Sequence, residues 1–287
     1  MDLRIINFPD KIFKKFLIER FDKDGDGEIS LTEALTITDV ACSERCITSI
    51  AGIEYFPNLE ELDCSRNKIE KIDVSENKKL RVLKCYSNPI SDLNIKSNAL
   101  LTDLYCGNCN IGQLDCSQNK DLKILSCRFN PLTQIDLRNN NNLTLLRVRR
   151  CQLEELALYN LKKLQFLDCS ENELYELLLE ENEELMYLDC ARNDLHNDLY
   201  LGANTKLKYL DCRMNSNLYS ITVSENQFIE KVRSSIEPMT ESYRKYLLWR
   251  EYQDENEYNT TIENEESWED QYLDALEGDE SNYWNID

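Results

Sequence analysis

The sequence predicts a solenoid of stacked coils, with a parallel β-sheet on its concave face, short turns and extended segments on its convex side, and small α-helical caps at both ends. Two observations predict this fold. Leucines recur every 21 residues from Leu59 to Leu185. In nearly every unit a second leucine follows three positions later and a cysteine two positions after that, as at Leu62 and Cys64. One coil cannot bury its own apolar face, so such units stack and share a core.

Each unit then closes on a polar position, usually an asparagine such as Asn67, whose amide can bond the backbone groups left open where the chain leaves the strand. An aliphatic pair follows, and often a second asparagine such as Asn77. The unit LxxLxCxxN resembles the leucine-rich repeat family in its short bacterial form. We assign residues 38–226 to one degenerate repeat and eight regular ones. The resemblance implies a solenoid that binds a partner on its concave face.

An acidic loop precedes the repeats. Residues 22–33 read DKDGDGEISLTE and resemble the twelve-position EF-hand loop, with glycine at the sharp turn. We assign residues 1–37 to an EF-hand-like N-terminal cap that binds one Ca²⁺. The predicted ligands are Asp22, Asp24, Asp26, Glu28 through its carbonyl oxygen, Ser30 and Glu33. With one loop and no second one beside it, a structural ion is the first interpretation and a calcium-regulated switch the alternative.

The period ends after Asn226. Helical spacing of apolar residues after Pro238 predicts a helical C-terminal cap over residues 227–252. Residues 253–287 form an acidic tail that also contains aromatic residues. Residues 251–287 hold 14 acidic residues and no lysine or arginine, so residues 1–250 carry −21 − (−14) = −7. Two thirds of the net negative charge therefore lies in this last segment.

The outward positions of the predicted strands combine aromatic residues with arginines, the composition typical of binding hot spots. We predict that a protein partner binds this concave face. The predicted contact residues are Tyr86, Tyr105, Arg128, Phe129, Arg147, Arg149, Arg150, Phe166, Tyr187 and Tyr209. Ordinary sheet-face pairing explains any single one of them better, and binding is the favoured interpretation for the surface as a whole. Stacking of sugars on the exposed tyrosines would make the chain a carbohydrate-binding surface protein instead.

The partner could also be the chain's own acidic tail or a second chain, since either would complement the arginines. Nucleic acid is not an expected partner, because a pI near 4.5 and the aspartates on the same face repel phosphates. The single histidine, His196, stands where one unit gains a residue, with no catalytic motif around it, and we expect no enzyme activity. No apolar run reaches the length of a membrane span.

Most of the twelve cysteines follow the repeat register, and neighbouring thiols would lie about 5 Å apart. They are therefore expected to pack as small apolar side chains in a reducing, cytoplasmic setting. The beginning of the sequence does not read as a signal peptide. The protein would be secreted or attached to the cell surface if an export signal had been removed. Cys42 and Cys46 lie outside the regular ladder and are the expected exposed thiols.

Overall fold

The fold is a stack of parallel coils, seen in a computed structural model that describes residues 4–236 apart from 225, 226 and 228. Its strands are β1 (Asp39–Ala41), β2 (Glu61–Asp63), β3 (Val82–Lys84), β4 (Asp103–Tyr105), β5 (Ile124–Ser126), β6 (Leu145–Arg147), β7 (Phe166–Asp168), β8 (Tyr187–Asp189), β9 (Asn197–Tyr200), β10 (Tyr209–Asp211), β11 (Leu218–Thr222) and β12 (Lys231–Arg233). The predicted parallel solenoid is confirmed.

Ten of these strands form one parallel sheet in the order β1-β2-β3-β4-β5-β6-β7-β8-β10-β12, and β11 pairs with β9 in a separate parallel pair. Each pairing between β1 and β10 in the large sheet joins equivalent positions, as at Leu62 opposite Leu83. The large sheet continues past residue 226, the predicted end of the repeats, because Tyr209–Asp211 pairs in register with Lys231–Arg233. Residues 237–252 of the predicted helical cap and the tail at 253–287 lie outside the described residues.

The core is a set of ladders that run along the stack. The first and second leucines of each unit and the cysteines after them are at most 1% exposed. Cys42 is also fully buried, so the expectation that its thiol is exposed is wrong. The reason is register: Val40 pairs with Leu62, which puts Cys42 in the same slot as Cys64. Only Cys46 is exposed among the twelve free thiols.

The closing asparagines connect each coil to the one before it. Nδ2 of Asn88 donates to the carbonyl oxygens of Cys64 and Cys85, both at 3.0 Å, and its Oδ1 accepts from the backbone N–H of Ile69 at 3.0 Å. In the second asparagine ladder only the donor half of this arrangement recurs: Nδ2 of Asn119 donates to two buried carbonyl oxygens. Buried backbone groups that the three-residue strands leave open are satisfied in this way.

The residue directly before each closing asparagine or cysteine has a left-handed backbone conformation. None of these eight residues is a glycine, and their φ angles lie between 50° and 59°. They are Arg66, Ser87, Asn108, Phe129, Arg150, Glu171, Arg192 and Met214. Such a conformation costs a residue other than glycine or asparagine about 1 kcal/mol or more. The turn after each strand imposes it on whichever side chain stands there.

The N-terminal cap contains helix α1 (Lys11–Phe21), the acidic loop and the short helix α2 (Leu31–Ala34). A 3₁₀ helix, Ile53–Tyr55, follows the first coil. Phe8 packs edge-on against Phe13 of α1 and against Phe56, with ring centroids 5.8 and 6.2 Å apart. Gly52 has φ 105°, and a Cβ there would lie 2.5 Å from the Phe8 ring. Close aromatic packing thus joins the cap to the first coils.

Candidate functional site

The acidic loop brings three of the predicted calcium ligands together. Carboxylate oxygens of Asp22, Asp24 and Glu33 lie within 4.8 Å of one another, and no other such group of potential ligands occurs among the residues that the structure describes. Oxygen-only donors of this kind suit hard cations such as Ca²⁺. The donor set therefore fits the predicted ion.

The loop backbone holds Asp22 in place. Its two carboxylate oxygens accept hydrogen bonds from the backbone N–H groups of Gly25 and Gly27 at 2.7 and 2.9 Å. Both glycines have positive φ, 76° and 81°, which lets the chain turn around the carboxylate. The hydrogen bond from Gly27 is the largest cause that lowers the pKa of Asp22. Asp22 is therefore kept ionised, as an ion ligand must be.

Glu33 closes the loop from helix α2. Its oxygens accept from the backbone N–H groups of Lys23 and Ser30, both at 2.8 Å, and Ser30 in turn caps the helix. Burial raises the pKa of Glu33, but these hydrogen bonds outweigh that effect and the pKa is lowered. Glu33 is only 8% exposed, so the charge is held by a fixed set of donors.

The other predicted ligands have different contacts. Asp26 accepts from the backbone N–H of Glu28 at 2.8 Å, and its carboxylate is not part of the cluster. The Glu28 side chain forms an ion pair with Lys14 at 2.7 Å, which is compatible with the predicted use of its carbonyl oxygen alone. The Ser30 hydroxyl donates to Glu33 at 2.9 Å. Three of the six predicted ligand residues thus have converging carboxylates.

The chain segment before α1 pairs with this loop. Ile6 N–H donates to the carbonyl of Ile29, and Leu31 N–H donates to the carbonyl of Arg4, both at 2.9 Å. Ile5 and Ser30 form an antiparallel bridge. Neither this pairing nor the contact by which Asp10 links α1 to the first coil has a local sequence signal.

The sheet face is more crowded than the sequence suggested. Phe166, Tyr187 and Tyr209 occupy the same position in successive strands and stack with centroids 4.1 and 4.4 Å apart and interplanar angles of 7° and 1°. They are 0%, 3% and 6% exposed. Tyr105 and Arg147 are also buried. The expectation of exposed tyrosines on this face is therefore wrong for Tyr105, Tyr187 and Tyr209, since in-register rings stack on one another.

The remaining predicted contact residues keep accessible surface, and most of them surround one ring. The guanidinium carbons of Arg128, Arg149 and Arg150 lie 5.7, 5.8 and 5.9 Å from the centroid of Phe129. Tyr86, further along the face, lies 5.9 Å from the guanidinium of Arg66. We call Arg128, Phe129, Arg149 and Arg150 the arginine cluster. Arg149 also pairs with Glu171 at 2.5 Å.

Three aspartates follow the arginine cluster along the sheet. Asp168, Asp189 and Asp211 stand opposite one another in β7, β8 and β10. Burial and the neighbouring charges of Asp168 and Asp211 raise the pKa of Asp189 to about 7. Asp211 is held by Arg213 at 2.6 Å. The charge of the sheet face therefore changes from positive to negative between β6 and β8.

The chain's one histidine lies directly before β9. His196 is exposed, and its backbone N–H donates to the carbonyl of Tyr175 at 3.0 Å. Among the described residues, no helix is long and apolar enough to cross a membrane.

Comparisons with known proteins agree with this architecture. The family profile "Leucine Rich repeats (2 copies)" matches residues 57–98. The fold is similar to that of the functional domain of InlJ from Listeria monocytogenes, which includes a cysteine ladder, with 26% identity and a TM-score of 0.71. That match covers 84% of this chain and 65% of the InlJ chain, so this chain spans less than two thirds of its length.

Two further solved structures share the fold alone. The internalin InlF from Listeria monocytogenes has 21% identity and a TM-score of 0.62, over 80% of this chain and 77% of that one. TLR13, solved as a complex with ssRNA13, has 21% identity and a TM-score of 0.51, over 65% of this chain and 30% of that one. No curated protein sequence matches this chain. Leucine-rich repeats and an internalin-like solenoid are thus present here.

Proposed function

We propose that this chain is a non-enzymatic, protein-binding leucine-rich repeat module whose partner contacts the arginine cluster. The observation that supports this is the gathering of three guanidinium groups around the Phe129 ring in a chain with a net charge of −21. Arginine and aromatic side chains dominate the energetics of protein interfaces. The ring and the cations together suit a surface that carries carboxylates beside an apolar side chain.

The backbone at Phe129 adds to this reasoning. Phe129 has φ 58°, in a slot that Asn108 fills one coil earlier with φ 50°. A bulky aromatic residue is a costly choice for a left-handed position, whereas asparagine adopts it readily. Because every coil has this left-handed residue, the strain belongs to the repeat, and it is the presence of an aromatic side chain in the slot that supports a role in binding.

Binding is tested by capturing partners from an extract of the native cell with the full chain and with two charge-reversal variants. Arg150→Glu changes the arginine cluster in a slot where Glu171 shows that glutamate is compatible with the turn. Arg138→Glu is the matched control, because it makes the same charge change at an exposed arginine outside the cluster. We expect Arg150→Glu to lose the captured protein and Arg138→Glu to retain it; equal retention by both would contradict the proposal.

The chain's own acidic tail or a second chain is the alternative occupant of the arginine cluster. Residues 251–287 supply 14 carboxylates and no cation, which complements the guanidinium groups. Truncation after Arg250 separates the cases. If the tail is the occupant, the truncated chain captures more partner than the full chain. If a second chain supplies the tail, truncation also lowers the number of chains per particle, which light scattering measures.

We also propose that the acidic loop binds one Ca²⁺ and that the ion stabilises the cap. The support is the convergence of Asp22, Asp24 and Glu33 within 4.8 Å. A structural role is favoured over a switch because the segment before α1 already pairs with the loop at Ile29, which ties the loop to the rest of the cap. An ion that binds only the folded state stabilises it by about 2.7 kcal/mol at 100 times its dissociation constant.

Thermal unfolding in Ca²⁺ and in chelator tests this second proposal. The wild-type melting temperature should fall on chelation. Asp24→Ala should melt at nearly the same temperature in both, because one converging carboxylate is lost and no side-chain oxygen replaces it. Glu44→Gln removes an exposed carboxylate outside the loop and should keep the wild-type response. Identical wild-type curves with and without the ion would overturn the calcium proposal, and an ion-dependent change in partner affinity would favour a switch.

Nucleic acid is not the proposed partner, although TLR13 was solved with an RNA. The likeness to that protein concerns the fold. On this chain's sheet, Asp168, Asp189 and Asp211 line up beside the arginine cluster, and the net charge is −21. Phosphate backbones are repelled by such a surface at physiological salt.

A further inference from the structure

A second candidate binding surface lies outside the ten-stranded sheet. A groove of about 440 Å³ runs between residues 175–180, which follow β7, and the separate β9–β11 pair. Its lining includes Leu177, Leu195, Leu199 and Leu218, which are at most 6% exposed. The groove therefore has an apolar floor that is continuous with the core.

The rim of this groove exposes large side chains. Tyr175, Leu178 and Tyr200 line it and are 47%, 55% and 45% exposed. Tyr219, on β11, is 74% exposed. Single exposed apolar residues are ordinary, but several around one concave feature are typical of a binding site.

Internal comparison of the coils shows that stacking does not require these rim residues. The slot of Tyr175 is filled by Glu70, Ser91, Gly112, Thr133 and Glu154 in the preceding coils. The slot of Leu178 is filled by Asp73, Asn94, Asp115, Asp136 and Ala157. Asp73 and Asn94 accept a hydrogen bond from the backbone two residues on, at 2.9 and 3.1 Å. Leu178 cannot make this bond, so the apolar rim replaces a polar surface that the repeat otherwise prefers.

The formal charges around the groove at pH 7 are negative. Glu176, Glu180 and Asp198 line it together with the neutral His196, and no lysine or arginine does. None of these three forms an ion pair with any residue in the described part of the chain. Asp198 is fixed instead by the hydroxyl groups of Ser220 and Thr222, at 2.6 and 2.8 Å. Residues 164–191 contain nine acidic residues and no lysine or arginine. A cation entering the groove would meet carboxylates on more than one side.

We propose that this groove binds a cationic segment of a protein partner, with an aliphatic side chain on the leucine floor and a lysine or arginine between the carboxylates and the two rim tyrosines. Charge complementarity selects this occupant over an acidic or neutral one. Cations also interact favourably with the faces of tyrosine rings. This site is separate from the arginine cluster, whose expected partner has the opposite charge.

Fluorescence anisotropy with a labelled hexapeptide of alternating leucine and lysine tests the groove. Leu178→Asn restores the polar residue of Asn94 without changing the charge. Glu176→Gln combined with Glu180→Gln removes two carboxylates. The matched control is Glu173→Gln combined with Glu183→Gln, which removes the same charge at exposed residues that do not line the groove. Tyr159→Ser is the matched apolar control, because Tyr159 is 56% exposed and lies outside the lining.

We expect the two groove variants to weaken peptide binding by about tenfold, as loss of hot-spot contacts does, and both controls to stay near the wild-type affinity. A hexapeptide of alternating leucine and glutamate should not bind. The proposal is overturned if the lysine peptide does not bind, or if the control pair weakens it as much as the groove pair, which would indicate general attraction to an acidic chain. It is also overturned if a neutral oligosaccharide binds the groove and the lysine peptide does not.

Discussion

Asp10 holds Thr48 across 38 residues of sequence: one carboxylate oxygen accepts from both the backbone N–H and the hydroxyl of Thr48, each at 2.7 Å. Its other oxygen caps helix α1 by accepting from the N–H groups of Ile12 and Phe13 at 2.8 and 2.9 Å. A single side chain thus fixes the start of the cap helix and its attachment to the first coil.

Asp10→Asn should destabilise the protein by about 1.5–3 kcal/mol, the range for hydrogen bonds to charged groups. The amide can still accept on one side, but it places a donor where the other side needs an acceptor. Urea unfolding monitored by circular dichroism measures the change. Asp73→Asn is the control, since Asp73 accepts a hydrogen bond only within its own turn. An equal effect of both variants would refute the coupling.

The same residue gives an acid-dependent stability. Burial raises the pKa of Asp10, but hydrogen bonds from Phe13 and Thr48 outweigh it and the pKa lies below the ordinary value of 3.8. The folded state therefore binds this proton less tightly than the unfolded state does. The stabilisation is present above about pH 4 and is lost as pH falls through the lowered pKa. Wild type and Asp10→Asn should thus converge in stability at low pH.

The asparagine ladder predicts that two asparagines in adjacent coils differ in how much they contribute to stability. Asn119 donates to the buried carbonyl oxygens of Ile95 and Asn98 at 3.1 and 2.8 Å. Asn119→Ala leaves both without that donor and should cost about 1–3 kcal/mol. Asn139→Ala, at an exposed position in the next coil, should stay within about 0.5 kcal/mol of wild type. Chemical denaturation of the two variants compares them directly.

Asp189 should destabilise the native state at neutral pH and above. Its pKa is raised to about 7 by burial and by the charges of Asp168 and Asp211, so the folded state binds this proton more tightly than the unfolded chain. Stability consequently falls as pH rises from about 4 to about 7. Asp189→Asn should be more stable than wild type at pH 8, with the difference shrinking towards pH 4. A pH-independent difference would contradict this account.

Thiol labelling should modify one cysteine per folded chain. Eleven of the twelve free cysteines are buried and Cys46 is exposed. Burial raises the pKa of Cys42 to about 12, which further suppresses its thiolate. Mass spectrometry after alkylation should find label on Cys46 alone, and on all twelve after denaturation. Label on any ladder cysteine of the native chain would mean that the core opens locally.

Backbone strain predicts a stabilising substitution. Met214 has φ 59° and is 60% exposed, so its side chain gains little from burial. Asparagine tolerates this backbone, and Met214→Asn should stabilise the protein by about 0.5–1 kcal/mol. Met186→Asn, at a residue without positive φ, should not stabilise it. The melting temperatures of both variants, measured by thermal unfolding, test this prediction.

Periodicity was enough to predict the coils, because each leucine and cysteine ladder repeats one local pattern. The acidic loop was also predictable, since its carboxylates are close in sequence. The Asp10 contact could not be predicted, because it joins residues 38 positions apart. Alternation indicated which side of the strand Tyr187 occupies, but not that rings in adjacent strands would bury one another. The groove beside Leu178 depends on the β9–β11 pair, which arises where the period is interrupted.

The one-to-one register of β2 through β8 gives each of those coils the same pairing with its neighbours. Because Leu62 meets Leu83 as Leu167 meets Leu188, unequal crossing-over within the coding sequence would add or delete a whole coil and leave both ends intact. Each event would change the reach of the sheet by one strand spacing, about 4.8 Å. Chain length in such a lineage can therefore drift in unit steps without a new fold having to arise.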